Sequence, residues 1–306
     1  HVQGYNPASH ILSIHCNNIF MLRKIAYAIV CLAYTHGIYA QEHAIDKQEK
    51  DSLYIEHFEK KLPAKVLHAE PLYIDLIRDL GARKGEHEWN IGLGITDNLK
   101  YDTYQTLIEY EFAPIDRLGL EIEVPFTFYA PLSGTDKEEV PSHRIESLKT
   151  ALQWTFIVAP KQNFSAAVGY INELEFTSLN AITANNVLHG NVFNPFLVIA
   201  KRWGNNLHTL LYTGPMVEKA FHTHHTSVNY AINTNFHYMI PGTRNFVGIE
   251  VNKEIRKADF DMVVRPQLRV GITEHLLLGI VGGIPISREN QRFSTFARLI
   301  WEPPSK

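Results

Sequence analysis

From Glu88 to Trp301 apolar and polar residues alternate in run after run. A period of two without any long apolar stretch is the pattern of a transmembrane β-barrel, in which every second side chain meets lipid while its neighbours face a polar interior. Tyr104, Thr106, Ile108, Tyr110 and Phe112 share one face, opposite Gln105, Glu109 and Glu111, and only Leu107 breaks the pattern. Past a turn at 114–117, Leu118, Leu120, Ile122, Val124, Phe126 and Phe128 are expected outward, with Gly119, Glu121, Glu123 and Thr127 inward. Later runs repeat the rule: Leu148, Leu152, Trp154 and Phe156 oppose Lys149, Gln153 and Thr155, and Val228, Tyr230, Ile232 and Phe236 oppose Asn229, Asn233 and Asn235. Near the end Met262, Val264, Leu268 and Val270 oppose Arg265, Gln267 and Arg269, and Ala297, Leu299 and Trp301 oppose Arg298. A soluble sandwich would bury the apolar face and use strands of about five or six residues. These runs are longer and suit a tilted membrane crossing of about nine to eleven residues.

Short turns recur at 114–117, 160–163, 203–206, 241–245 and 273–275, rich in the Gly, Pro, Asn and Asp that tight turns require. Longer connections fall between them, at 130–143, at 175–190 and around His222. That asymmetry matches outer-membrane barrels, where the short side is periplasmic, and it gives about twelve strands with both termini periplasmic. A count of about ten stays open, because 193–199, 207–212 and 276–284 are apolar on both faces. Tyr110, Phe112, Trp203 and Trp301 mark one membrane edge and Phe126, Phe128 and Tyr129 the other, as interfacial aromatics do.

The net charge of -3 and mildly negative mean hydropathy would pass for a soluble protein, but barrels evade that test because their apolar residues are interleaved. From Met21, Arg23 and Lys24 precede an apolar stretch, 25–34, and Ile38, Tyr39 and Ala40 lead into Gln41. Residues 21–40 therefore read as a secretory signal peptide cut after Ala40, and 1–20 as upstream sequence or a misassigned start. A membrane anchor is the rival reading, weakened by the short span and by His36 and Gly37. Both cysteines, Cys16 and Cys31, precede that cut, so no disulfide, thiol nucleophile or cysteine metal site is expected in the mature chain. Residues 41–86 read as a charged periplasmic lead-in and 87–302 as the barrel. Within the lead-in, Leu72, Leu76, Ile77 and Leu80 fit one face of a short helix ending at Gly81, either a plug or a cover over the barrel mouth.

Lys84, Gly85 and Glu86 stand ahead of the first strand, Asp116, Arg117 and Leu118 close the first hairpin, and Val124, Pro125 and Phe126 follow; Ile284 and Pro285 echo them weakly. This arrangement resembles the transporter-like outer-membrane barrels of the MetA phenol-degradation-pathway type. The resemblance implies a Gram-negative outer-membrane protein passing small hydrophobic or aromatic compounds, and it brings no catalytic residues.

The inward carboxylates Glu109, Glu111, Glu121 and Glu123 lie on neighbouring strands and would favour cations in a pore. Lys149, Arg265, Arg269 and Arg298 are expected inside as well, so a salt-bridged network filling the lumen competes with that reading. His222, His224 and His225, with His143 on another loop, are metal-ligand candidates without a carboxylate or thiolate at fixed spacing. Ser227, His225 and Asn229 sit too close along one strand to converge as a triad, and no nucleophile elbow is present, so an enzyme is not expected. No phosphate loop or basic patch calls for a nucleotide cofactor or nucleic acid. The expected partners are outer-membrane lipid and a small solute, with homo-oligomer formation left open. The sequence reads as a passive outer-membrane channel, with a structural or ligand- or metal-binding barrel of filled lumen as the alternative.

Overall fold

The computed structural model describes residues 62–304 apart from 75, 224 and 258. The signal peptide and upstream residues expected at 1–40 lie outside the described residues. The alternation is realised as antiparallel strands β1 (His87–Asn98), β2 (Tyr101–Ile115), β3 (Leu118–Pro131), β4 (Arg144–Ile145), β5 (Ser147–Ala159), β6 (Phe164–Phe176), β7 (Leu188–Trp203), β8 (Leu207–Ala220), β9 (Thr226–Met239), β10 (Phe246–Arg256), β11 (Asp259–Gly271), β12 (Leu276–Ser287) and β13 (Gln291–Trp301). β4 is a two-residue bridge on β3; the remaining twelve pair with their neighbours, and β1 pairs with β13 to close the ring. Closure leaves no free sheet edge in the wall.

β1 illustrates how residue size and polarity set the two faces. Trp89, Ile91, Leu93 and Ile95 stand exposed on the outside, while Glu88 and Asn90 are buried inside. Inward Gly92 makes room for Leu107: a Cβ there would lie 2.7 Å from the Leu107 Cγ and equally close to Phe296. The single break in the β2 pattern is thus an inward leucine seated over a glycine. Turns fall between the strands where the Gly, Pro, Asn and Asp residues stand, with Asn163 at φ 51 and Gly242 at φ 69 taking the left-handed conformation these connections need.

The stretches apolar on both faces are full strands, β7, β8 and β12, and the reason lies inside the ring. Val198, Ala200, Leu210 and Tyr212 form a buried cluster with Leu76, Ile77 and Leu80 of the segment preceding β1. Leu277 and Val281 form a second with Ala69 and Leu72. These strands are apolar inward because they bury protein there, and their other face belongs to the apolar band exposed around the outside of the ring. Counting them as strands settles the wall at twelve.

The described residues of the segment 62–86 make bends and turns. Leu72, Leu76, Ile77 and Leu80 are all buried, but Leu72 packs on β12 while the other three pack on β6, β7 and β8.

Candidate functional site

A chain without regular structure inside a barrel must find a partner for each buried N–H, and the wall supplies them. The Ala69 N–H donates to His208 Nδ1 at 2.8 Å and the Leu72 N–H to Gln267 Oε1 at 2.8 Å. The Tyr73 and Ile74 N–H groups share the Glu250 carboxylate, at 3.4 and 3.0 Å. The Gly81 N–H donates to Thr155 Oγ1 at 3.0 Å, and Gln153 Nε2 donates to the Arg78 carbonyl at 2.5 Å. These side chains come from β8, β11, β10 and β5, so the segment is held from opposite sides of the ring. Two inward glycines allow its close approach: a Cβ at Gly119 would meet Arg78 Cβ at 2.4 Å, and one at Gly279 would meet Leu72 Cδ2 at 2.6 Å.

The segment is tied to itself by Lys65, whose Nζ lies 2.6 Å from Asp79 and 2.8 Å from Glu86. Burial alone would lower the Lys65 ammonium, but the Asp79 and Glu86 carboxylates outweigh it and hold it above the usual lysine range. Burial likewise opposes ionisation of Asp79, yet Lys65 and Arg78 keep its carboxyl well below the ordinary range. His68 is the opposite case: burial first, then His208 and Arg202, push its imidazole down to about 3.

The acidic side chains form two rows along the sheet register. Glu88, Glu111 and Glu121 stand side by side on β1, β2 and β3, and Asn90, Glu109, Glu123, Lys149 and Glu173 make the adjoining row from β1 to β6. Like charges directly opposite each other destabilise a sheet, so each needs a counter-group. Arg78 Nη1 sits on Glu88 and lies 3.3 Å from Glu111. Lys149 Nζ lies 2.9 Å from both Glu121 and Glu123, and Arg298 Nη1 3.4 Å from Glu109. The Asn90 amide donates to Glu88, Glu109 and Glu111 at 2.9, 2.7 and 3.0 Å. Oxygens of Glu109, Glu111 and Glu121 come within 4.8 Å of one another, as a metal site would need, but Arg78, Lys149, Arg298 and Asn90 already serve these carboxylates.

Arg265 and Arg269 do not join that network. Arg265 lies 3.3 Å over the Tyr73 ring and donates through Nε to Asn252 Oδ1 at 2.7 Å. Arg269 lies 4.8 Å over Phe246 and donates to the Arg244 carbonyl at 3.2 Å. His222 and His225 are exposed in the connection between β8 and β9, His224 lies outside the described residues, and His143 sits on another loop accepting from the Tyr129 N–H at 3.1 Å. Sequence reasoning placed Gln267 on the inner face without giving it a role, and it did not pick out Arg78, Glu173 or Glu250. The alternation of Gly248, Glu250 and Asn252, and of Ile171 and Glu173, was the signal that could have found two of them.

Above the segment, toward the end of the ring that carries the long connections after β3 and β6, lie cavities of about 350 and 330 Å³. Tyr73 and Phe296 border both. The outer one is lined by Tyr101, Thr103, Tyr129, Arg265 and Arg288, and the deeper one by Ile74, Ile77, Lys149, Glu173 and Asn194.

The barrel is similar to the COG4313 outer membrane channel from Pseudomonas putida F1, with a TM-score of 0.58 and 13% identity over 73% of this chain and 98% of that one. The KdgM porin (TM-score 0.47, 13% identity, 70% of this chain and 98% of that one) and the NanC porin (0.48, 9%, 71% and 100%) are further neighbours. The first likeness establishes the fold shared with outer-membrane channels. No curated protein matches the sequence at a significant level. A protein-family model described as HAEPLYID-like matches residues 64–302, and those eight letters are the run from His68 to Asp75, within the segment that occupies the lumen. Since the matched span takes in that segment together with every strand of the wall, the chain belongs to the HAEPLYID-like family.

Proposed function

We propose that this protein is an outer-membrane channel for small solutes whose N-terminal segment occupies the lumen and must shift for solute to pass. One observation carries the reading: the segment is held by side-chain hydrogen bonds and ion pairs, not by strand pairing, directly beneath solute-sized cavities. Such contacts exchange without breaking the wall. The outer surface supports a membrane location, because Ile91, Leu93, Ile108, Ile122, Trp154 and Ile249 among others present an apolar band. His87 and Trp301 lie at the end of the ring opposite the long connections after β3 and β6, which favours periplasmic termini. The motif shared with the phenol-degradation-pathway barrels supports a solute with hydrophobic character.

The test is planar-bilayer conductance of the mature protein beside Gly119→Val and Gly279→Val, which place a branched side chain where the segment now lies. Larger or more frequent current steps in the variants support the reading, and silence from all three folded barrels overturns it. The lumen-lining roles of Glu109, Glu111, Glu121, Glu123, Lys149, Arg265, Arg269 and Arg298 belong to the same proposal. Changing the four glutamates to Gln is expected to reduce cation preference, and an unchanged reversal potential in a salt gradient would refute that part. A filled, ligand-binding barrel is the second reading, favoured by the depth to which Tyr73 and Ile74 are anchored on Glu250.

A further inference from the structure

We propose that the deeper cavity binds a small organic cation, a primary ammonium carrying a compact apolar body, with Glu173 and Asn194 as its polar contacts. The inference rests on the channel reading and names the class of solute for that site.

Charge pairing in the cavity leaves one group over. Glu123 is paired with Lys149, Arg298 with Glu109, and Glu146 with Arg144. Glu173 has no ion pair among the described residues, and the Lys149 ammonium opposite it is already divided between Glu121 and Glu123. The surplus charge facing the cavity is therefore a carboxylate. A second observation points the same way: Asn194 is 7% exposed, and its Oδ1 accepts no hydrogen bond from a described residue. Asn194 stands opposite Ile171 on the neighbouring strand, which makes it the diagonal neighbour of Glu173 on the inner face. Glu173 and the spare Asn194 Oδ1 are neighbouring acceptors that an ammonium would complement, while the spare donor of the same cavity is Asn233 Nδ2.

The rest of the cavity sets the shape of the ligand. Ile74 and Ile77 of the lumen segment form its floor, and Leu107, Ile171 and Met216 of the wall add apolar surface. A volume of about 330 Å³ is at the small end for ligand pockets and admits a molecule of a few carbons beyond its ammonium. Because the floor is the segment itself, an occupant touches the part of the chain that must move.

The experiment is titration calorimetry of the refolded full-length protein in detergent, with butylammonium as probe and butyrate and butan-1-ol as size-matched controls. Saturable binding of butylammonium, weakened tenfold or more in Glu173→Gln, is the expected result, with neither control saturating. Asn194→Asp adds a second carboxylate and is expected to tighten butylammonium binding, which guards against reading a misfolded Glu173 variant as a positive result. Butyrate or butan-1-ol binding as tightly as butylammonium, or equal affinity in wild type and both variants, overturns the proposal. Binding is measured here without a membrane, so a barrel that binds but never conducts would sink the channel reading alone, and one that conducts without saturable binding would sink the site alone.

Discussion

Arg78 Nη1 of the lumen segment lies 3.3 Å from Glu111 Oε2 of β2, and the same nitrogen serves Glu88 of β1. A single guanidinium from outside the sheet thereby balances two glutamates that the register sets side by side. The wall on its own is electrostatically unfinished there.

Arg78→Gln is therefore expected to destabilise the protein by about 3–5 kcal/mol, the cost of leaving buried charge without its partner. Urea or thermal unfolding followed by gel mobility checks this. A loss under about 1 kcal/mol would show that the glutamates are already neutral without Arg78.

Glu250 carries the tip of the segment through the Tyr73 and Ile74 N–H groups. Replacing it with Ala strands those donors at a cost of about 1–3 kcal/mol. Chymotrypsin cleavage after Tyr73 is the readout: cleavage should be faster in Glu250→Ala than in wild type, and equal rates would mean that Glu250 is not what holds this part of the segment.

The His68 imidazole, held at about 3 by burial and by the neighbouring His208 and Arg202 with only Asp79 opposing, gives the segment a pH dependence. Its folded pKa lies below its unfolded value of 6.5, so the neutral ring is the form the lumen accommodates. That stabilisation is complete above the unfolded value and is lost as pH falls from 6.5 toward 3. Thermal midpoints measured from pH 7 down to about 4 should fall, and less steeply in His68→Gln. Parallel profiles for the two proteins would rule His68 out as the source.

Leu93, 59% exposed at the middle of β1, faces the expected hydrocarbon. Arg at this position is expected to cost about 2–4 kcal/mol in lipid vesicles, falling to near zero toward either membrane edge. Unfolding from vesicles measures it, and an unperturbed stability would place this face in water.

Much of the wall was legible because its rule is local: a period of two, broken by Gly, Pro, Asn and Asp, fixes strands one at a time. The pairing of Glu109 with Glu123 was legible for the same reason, since facing residues on these two strands follow from the turn between them. The lumen segment was not. Leu72, Leu76, Ile77 and Leu80 are spaced as on a helix, yet they are buried against strands on different sides of the ring, and only the finished wall dictates that path. Glu250 and Glu173 escaped notice because neither faces another carboxylate across the register: Glu250 stands between Asn235 and Arg265, and Glu173 between Lys149 and Val192. The double apolarity of β7, β8 and β12 read as ambiguity when it was the imprint of what those strands enclose.

The first and last strands of the wall, β1 and β13, meet at the seam, and β1 follows the lumen segment in the chain without interruption. The segment is thus made before any strand, while the ring is completed only by the last. Threading side chains as large as Tyr73 and Arg78 into a finished ring, past the glycines that fit closely around them, is the harder route. Assembly by closure, with the wall laid down around a template that is already present, makes the early chain a mould for the late one.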